Sequence, residues 1–222
     1  MSLRDEDPQM AALADWAERT SAIAERLVKE QPTLNPITAH IIAGDLLSAE
    51  RATNEVNAGV PAEQAMWMVG SFARWDWTLS MVTQGALDYA TFVKVLPRLW
   101  SASDPDDTKT ENLRVWQRAF AAHGGVIRDG RGLPKGNADG TLTIYRGGGP
   151  TGVEAGIAWT TDPKVARKFA SGAGERMPRT DGVVVAGTVR PSHVLAFITG
   201  RGESEVIVDP RLVQNVHTVG GH

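Results

Sequence analysis

The sequence predicts an α+β protein, with an N-terminal helical bundle followed by a mixed or antiparallel β-sheet. Three observations carry that prediction. Six of the seven tryptophans (Trp16, Trp67, Trp75, Trp77, Trp100 and Trp116) precede residue 117. Glycine does the reverse and crowds from Gly124 onward. Across the same boundary the apolar residues stop recurring every three or four positions, the mark of a helix face, and gather into short β-branched runs. The chain accordingly divides into a helical region, 1–123, a glycine-rich connector, 124–140, and a β-rich region, 141–222.

In the helical region Leu13, Trp16, Thr20, Ile23 and Leu27 fall on one face of a first helix. Asn35 and Pro36 supply the start of a second, whose face reads Ile42, Leu46, Ala49, Thr53 and Val56. A third opens at Pro61 and carries Ala65, Met68, Phe72, Trp75, Leu79 and Val82. Phe92, Val95, Leu96 and Leu99 mark a shorter fourth. The segment SASDPDDTKT supplies start signals for a fifth, with Leu113, Trp116 and Phe120 inward, and Gly124 with Gly125 stops it. Beyond the connector, TLTIY (141–145) and GIAWTT (156–161) read as strands. Asp162 and Pro163 then provide an N-cap and first position for a helix with Val165, Ala166 and Phe169 inward. GVVVAGTV, HVLAFI, SEVIV and LVQNVHTV complete the strands of the sheet.

Composition narrows the function classes. At 222 residues and 42% apolar the chain can bury a sizeable core. A formal net charge of −3 announces neither a nucleic-acid stripe nor an anionic-membrane surface, so neither partner is expected. The absence of cysteine removes disulfides, a thiolate nucleophile and Cys-based zinc sites, and fits a reducing compartment. The start MSLRDEDPQM is polar and acidic, unlike a signal peptide, and no apolar stretch approaches the ~20 residues that span a bilayer. The expectation is a soluble, cytoplasmic protein.

Several familiar motifs fail on inspection. GGGPTG at 147–152 matches G-x-G-x-x-G, but its third glycine leads through VEAGIAWTT to another strand instead of opening a helix. There is no Gly-Lys-Ser/Thr phosphate loop and no G-x-S-x-G elbow. The five histidines are scattered without ligand spacing, so no metal is expected. Arginine, hydroxyl and carboxylate residues remain to carry any chemistry. Arg146 ends one strand in YRGGG, Thr160 and Thr161 end the next in AWTTDP, and Glu203 and Glu205 begin another in ESEVIV. Each also has a plain reading: a surface ion pair, strand formers that cap a helix, and a solvated pair neutralised by Arg201 or Arg211. Within a strand, Glu203 and Glu205 would share one face.

The ordered set YRG (145–147), GIAWTTDPKVARKFA (156–170), VVVAGTV and ESEVIVDP (203–210) resembles the mono-ADP-ribosyltransferase family. The branch concerned is built on an arginine, a serine/threonine strand and a Glu-x-Glu motif. The resemblance covers about residues 141 to 213, and includes the Ala-x-x-Phe-Ala spacing of Ala166, Phe169 and Ala170. It departs where the usual Ser-Thr-Ser strand reads Trp159, Thr160 and Thr161; Thr160 takes the hydroxyl's place, with Thr161 second. No residue of SGAGERMPRT (171–180) is assigned as the family's nicotinamide-stacking aromatic.

The resemblance implies that NAD is a substrate whose nicotinamide–ribose bond breaks, with ADP-ribose passing to a protein acceptor. For Glu-x-Glu members that acceptor is an arginine side chain. It further implies that Arg146, Gly147, Thr160 and Thr161 bind NAD. Arg146 would offer its planar fork to the pyrophosphate where glycine lets the backbone approach. Glu205 would accept a hydrogen bond from the ribose 2′-hydroxyl and stabilise the oxocarbenium-like sugar. Glu203 would orient the acceptor guanidinium and help remove its proton. A toxin or host-modifying effector is the implied setting. Two alternatives stand beside it: an NAD glycohydrolase, in which water intercepts the sugar cation, and an inactive fold serving as a binding module.

Overall fold

A computed structural model describes residues 8–172 and 180–221, so most of the stretch SGAGERMPRT lies outside the described residues. The architecture is α+β: N-terminal helices followed by a mixed seven-stranded sheet. The chain forms two compact units. One runs through Phe92 and includes Ala102–Asp104; the other comprises Val93–Ser101 and everything from Pro105.

The first unit contains α1 (Pro8–Glu30), α2 (Pro36–Asn57), α3 (Ala62–Ala65), α4 (Ser71–Thr83) and the start of α5 (Tyr89–Ala102). Asn35 begins α2 as expected, its side chain accepting from the Ile37 amide at 2.8 Å ahead of Pro36. The seam between α1 and α2 differs from the expected one. Ala24, Ala39 and Ala43 are its buried residues, with Ile23, Leu27, Val28 and Leu34 around them, whereas Leu13, Trp16 and Leu46 are exposed. Alanine, having no bulk beyond Cβ, lets two helix backbones approach closely, and the inward stripe of α2 is Ala39–Ala43–Leu47, one position off the large residues.

The expected third helix is broken. After α3 a 3-10 turn covers Met66–Met68, Val69 is extended, and α4 starts afresh from Gly70. Asp45 of α2 supplies the reason. Its carboxylate accepts from the Phe72 amide at 2.9 Å, satisfying one of the orphan donors at the start of α4. It occupies the space where a Cβ on Gly70 would lie. The Gly70 amide donates to Ser48 at 2.9 Å.

The second unit holds the rest of α5, α6 (Thr110–His123), α7 (Pro163–Ala170) and the sheet. Trp116 and Leu113 of α6 are buried as expected, and Gly124 ends the helix in the left-handed conformation at φ 77°. The strands are β1 (Ile127–Arg128), β2 (Leu142–Gly148), β3 (Ala158–Thr160), β4 (Val183–Val189), β5 (Val194–Ile198), β6 (Glu205–Val208) and β7 (Gln214–Gly221). Their spatial order is β1-β5-β6-β3-β2-β4-β7; β1 pairs parallel with β5 and every other pair is antiparallel. Strand β1 sits inside the stretch read as a connector, since two residues are too few to show a period.

One face of the sheet carries Leu142, Ile144, Trp159, Val185, Val189, Phe197, Val206 and Val208 in a single apolar cluster. The other face receives α7, whose Ala166 and Ala170 pack with Val184 and Tyr145. Asp162 caps α7 by accepting from the Lys164 amide at 2.8 Å, as its sequence signals. Gly147, next after Arg146, serves this packing. Gly147 and Gly148 are strand residues opposite Val184 and Val183, and a Cβ on Gly147 would run into the Ala166 carbonyl and the Ala170 amide. Because backbone atoms cannot rotate away, Gly147→Ala destabilises the protein by about 1–3 kcal/mol, measured by urea unfolding.

Candidate functional site

Register decides which side chains meet. Thr160 of β3 lies opposite Tyr145 of β2 on one side and Glu205 of β6 on the other, and Glu205 lies opposite Ile198 of β5. Paired residues point to the same face, so Tyr145, Thr160, Glu205 and Ile198 form one row. Arg146 follows Tyr145 in its strand and points the other way, to the face of Trp159. Trp159 is a core residue, 2% exposed, whose indole donates to the Gly156 carbonyl at 3.0 Å.

The guanidinium of Arg146 is already engaged. Nη1 and Nη2 reach the two Asp107 oxygens at 2.5 and 3.0 Å. Nε donates to the Val153 carbonyl at 2.5 Å, and Nη1 also donates to the Ala158 carbonyl. Four of its five N–H groups are thus used within the protein. The side chains of Arg146 and Asp107 are only 16% and 20% exposed. Asp107 also accepts from the Ala158 amide at 3.2 Å, and Gly156 provides the space in which the guanidinium lies. Arg146 therefore ties the segment before α6 to β2 and β3, and has little left to offer a pyrophosphate.

Glu203 and Glu205 do not share a strand. Strand β6 begins at Glu205; Ser204 has φ 47° and Glu203 lies in the helical region of φ/ψ, so the same-face expectation does not apply. Arg201 is left-handed too, at φ 60°. Two non-glycine residues in that region within four positions store backbone strain that the surroundings must hold.

Several bonds do so. Asp129, just past β1, accepts from the Thr199 amide at 2.8 Å, from the Thr199 hydroxyl at 2.9 Å and from the Gly200 amide at 2.7 Å. Burial opposes ionisation of Asp129, but these bonds outweigh it and hold the carboxyl below its usual range. Arg201 donates to the Ser101 carbonyl at 2.5 Å and lies 3.8 Å from the Glu203 carboxylate.

Thr160 is the central tie. Its hydroxyl donates to the Glu203 carbonyl at 2.5 Å and accepts from the Asp162 amide at 3.1 Å, while the neighbouring Thr161 amide donates to the Ser204 carbonyl at 3.1 Å. The two threonines thus fasten the loop that presents both glutamates. Thr160→Val, which keeps the shape and loses the hydroxyl, leaves these groups unpaired and costs about 1–3 kcal/mol in chemical denaturation. Thr160→Ser retains most of that stability.

The Glu205 carboxyl is hemmed in by protein although the residue keeps some solvent access. Removal from water pushes its pKa up to about 7. A hydrogen bond from Trp100 opposes that rise, the charges of Glu203 and Asp107 add to it, and Arg146 pulls it back. The Trp100 indole N–H donates to Oε1 at 2.8 Å. Among the described residues no group bonds to Oε2.

Trp100 and Asp107 escape a reading of the sequence. Trp100 looks like one more apolar position on a helix face, and Asp107 like one of several helix-start acids in SASDPDDTKT. Nothing local marks either as the partner of a residue far along the chain. Comparison with protein-family models, curated proteins and solved structures found no match to this chain.

Proposed function

We propose that the protein is a mono-ADP-ribosyltransferase that cleaves NAD and passes ADP-ribose to a protein arginine. The observation that carries this reading is Glu205, a desolvated carboxyl with one oxygen held by Trp100 and the other open, in register with Thr160 and electrostatically coupled to Glu203. Such an acceptor suits a sugar hydroxyl beside a developing positive charge. In the reaction the C1′–N bond to nicotinamide breaks and its electron pair leaves with nicotinamide. A guanidino nitrogen of the acceptor then bonds to C1′ and gives up a proton, for which Glu203 is the base. The fit is at the sugar end. Arg146 contributes by holding the segment before α6 against β2 and β3, in place of the phosphate grip its position in YRG suggests.

The test incubates the purified protein with NAD labelled in its adenylate moiety and a cell lysate. Labelled protein and released nicotinamide are the expected result; the absence of both label transfer and nicotinamide release overturns the proposal. One observation favours an NAD glycohydrolase instead: Arg201 already lies beside Glu203, the carboxylate assigned to the acceptor. Free ADP-ribose without labelled protein would select that reading.

A further inference from the structure

We propose that Trp100 is a positioning residue for Glu205, its indole N–H fixing Oε1 so that Oε2 is presented as the acceptor for a sugar hydroxyl. The proposal rests on the functional reading above and extends it to a residue outside the segment that resembles the transferases. Three observations support it. The bond is short, at 2.8 Å, and spans 105 positions of sequence. Trp100 is 4% exposed, so solvent does not compete for its N–H. Its ring meets Trp116 edge to face at 5.6 Å and 77°, which restricts rotation of the indole. Trp116 is fully buried and its own N–H has no partner among the described residues. The aromatic pair thus puts a single indole donor onto the carboxylate.

A donor to a carboxylate stabilises the ionised form. The other charges acting on Glu205 are Glu203 from the loop before β6, Asp107 from the segment before α6, and Arg146 from β2. Trp100→Phe removes the donor and keeps an aromatic ring, leaving those three in place.

The experiment follows the Glu205 carboxyl by 13C NMR in protein labelled at glutamate Cδ, the resonance being identified by its loss in Glu205→Gln. In Trp100→Phe the titration midpoint moves upward by about one pH unit. Trp116→Phe, which also removes a buried indole N–H, does not move it. NAD cleavage by Trp100→Phe falls at least about fivefold at pH 7, and part of that loss persists near pH 9, where both forms are ionised but Oε1 is no longer held. A midpoint unchanged in Trp100→Phe overturns the proposal, as does cleavage that recovers fully at pH 9, which would leave the indole with an effect on ionisation alone. A shifted midpoint in a protein that cleaves no NAD supports the positioning contact and overturns the functional reading.

Discussion

Under the proposed function, replacing Glu205 with glutamine is expected to cripple ADP-ribose transfer, and it should make the protein more stable at alkaline pH. Glutamine keeps the side-chain shape but cannot supply the negative charge that the sugar cation needs, so the rate of nicotinamide release falls by about two decades or more. On that reading the working form is the carboxylate, so nicotinamide release should rise with pH through about 7, the pKa of Glu205, and level off above it. A rate profile of nicotinamide release between pH 5 and 9 checks this directly.

Stability moves the opposite way. The folded protein holds the Glu205 proton up to about pH 7, whereas the unfolded chain releases it near 4.5, the ordinary value. Between those two pH values the native state binds more protons than the unfolded state, so stability falls as pH rises across the window. The displacement sets a ceiling of about 3 kcal/mol on the loss, and solvent reaching the partly exposed carboxyl lowers it. Glu205→Gln removes this slope. Thermal midpoints of wild type and variant should converge near pH 4.5 and separate above pH 7, with the variant higher. Stability given up at one residue in exchange for reactivity is a common feature of active sites.

Arg146→Ala produces the largest loss of stability. It leaves the Asp107 carboxylate without its cation and the Val153 and Ala158 carbonyls without their donor, all in a region largely shielded from solvent. Breaking such a pair by removing one partner costs about 3–5 kcal/mol when fully buried, and the residual exposure places this case near about 3 kcal/mol. Arg146→Lys restores only part of it, since an ammonium cannot engage both oxygens of Asp107 through a planar fork. Urea unfolding of Arg146→Ala, Asp107→Ala and the double variant tests the coupling. The double variant should be less destabilised than the two single losses added together. Additive losses would show that the ion pair contributes nothing of its own.

Much of the fold was legible because it rests on local rules. Asn35 with Pro36 and Asp162 with Pro163 start helices wherever they occur, since the cap and the fixed φ act within one turn. Gly124 stops α6 for an equally local reason, its tolerance of a left-handed φ. The six longer strands showed as β-branched runs. Errors arose where a distant residue overrode the pattern. Asp45 breaks the helix predicted from Pro61, and close packing of alanines moves the seam of α2 away from its larger side chains.

The site divides along the same line. The sequence by itself determined which residue types were available and in what order: Arg146, Thr160, Thr161, Glu203 and Glu205, with Gly147 following the arginine. Only the tertiary structure decided what each one touches. Sheet register sends Arg146 to the face opposite Glu205 and sets Thr160 beside it; the left-handed Ser204 takes Glu203 out of the strand; α7 claims the space above Gly147. Asp107 and Trp100 reach the site from segments that precede the sheet in sequence. Local periodicity reports how a segment sits on its own axis, whereas hydrogen-bond partners far apart in the chain are selected by the packing of whole elements. The carboxylate at Glu205 was therefore readable as a candidate, and the indole that holds it was not.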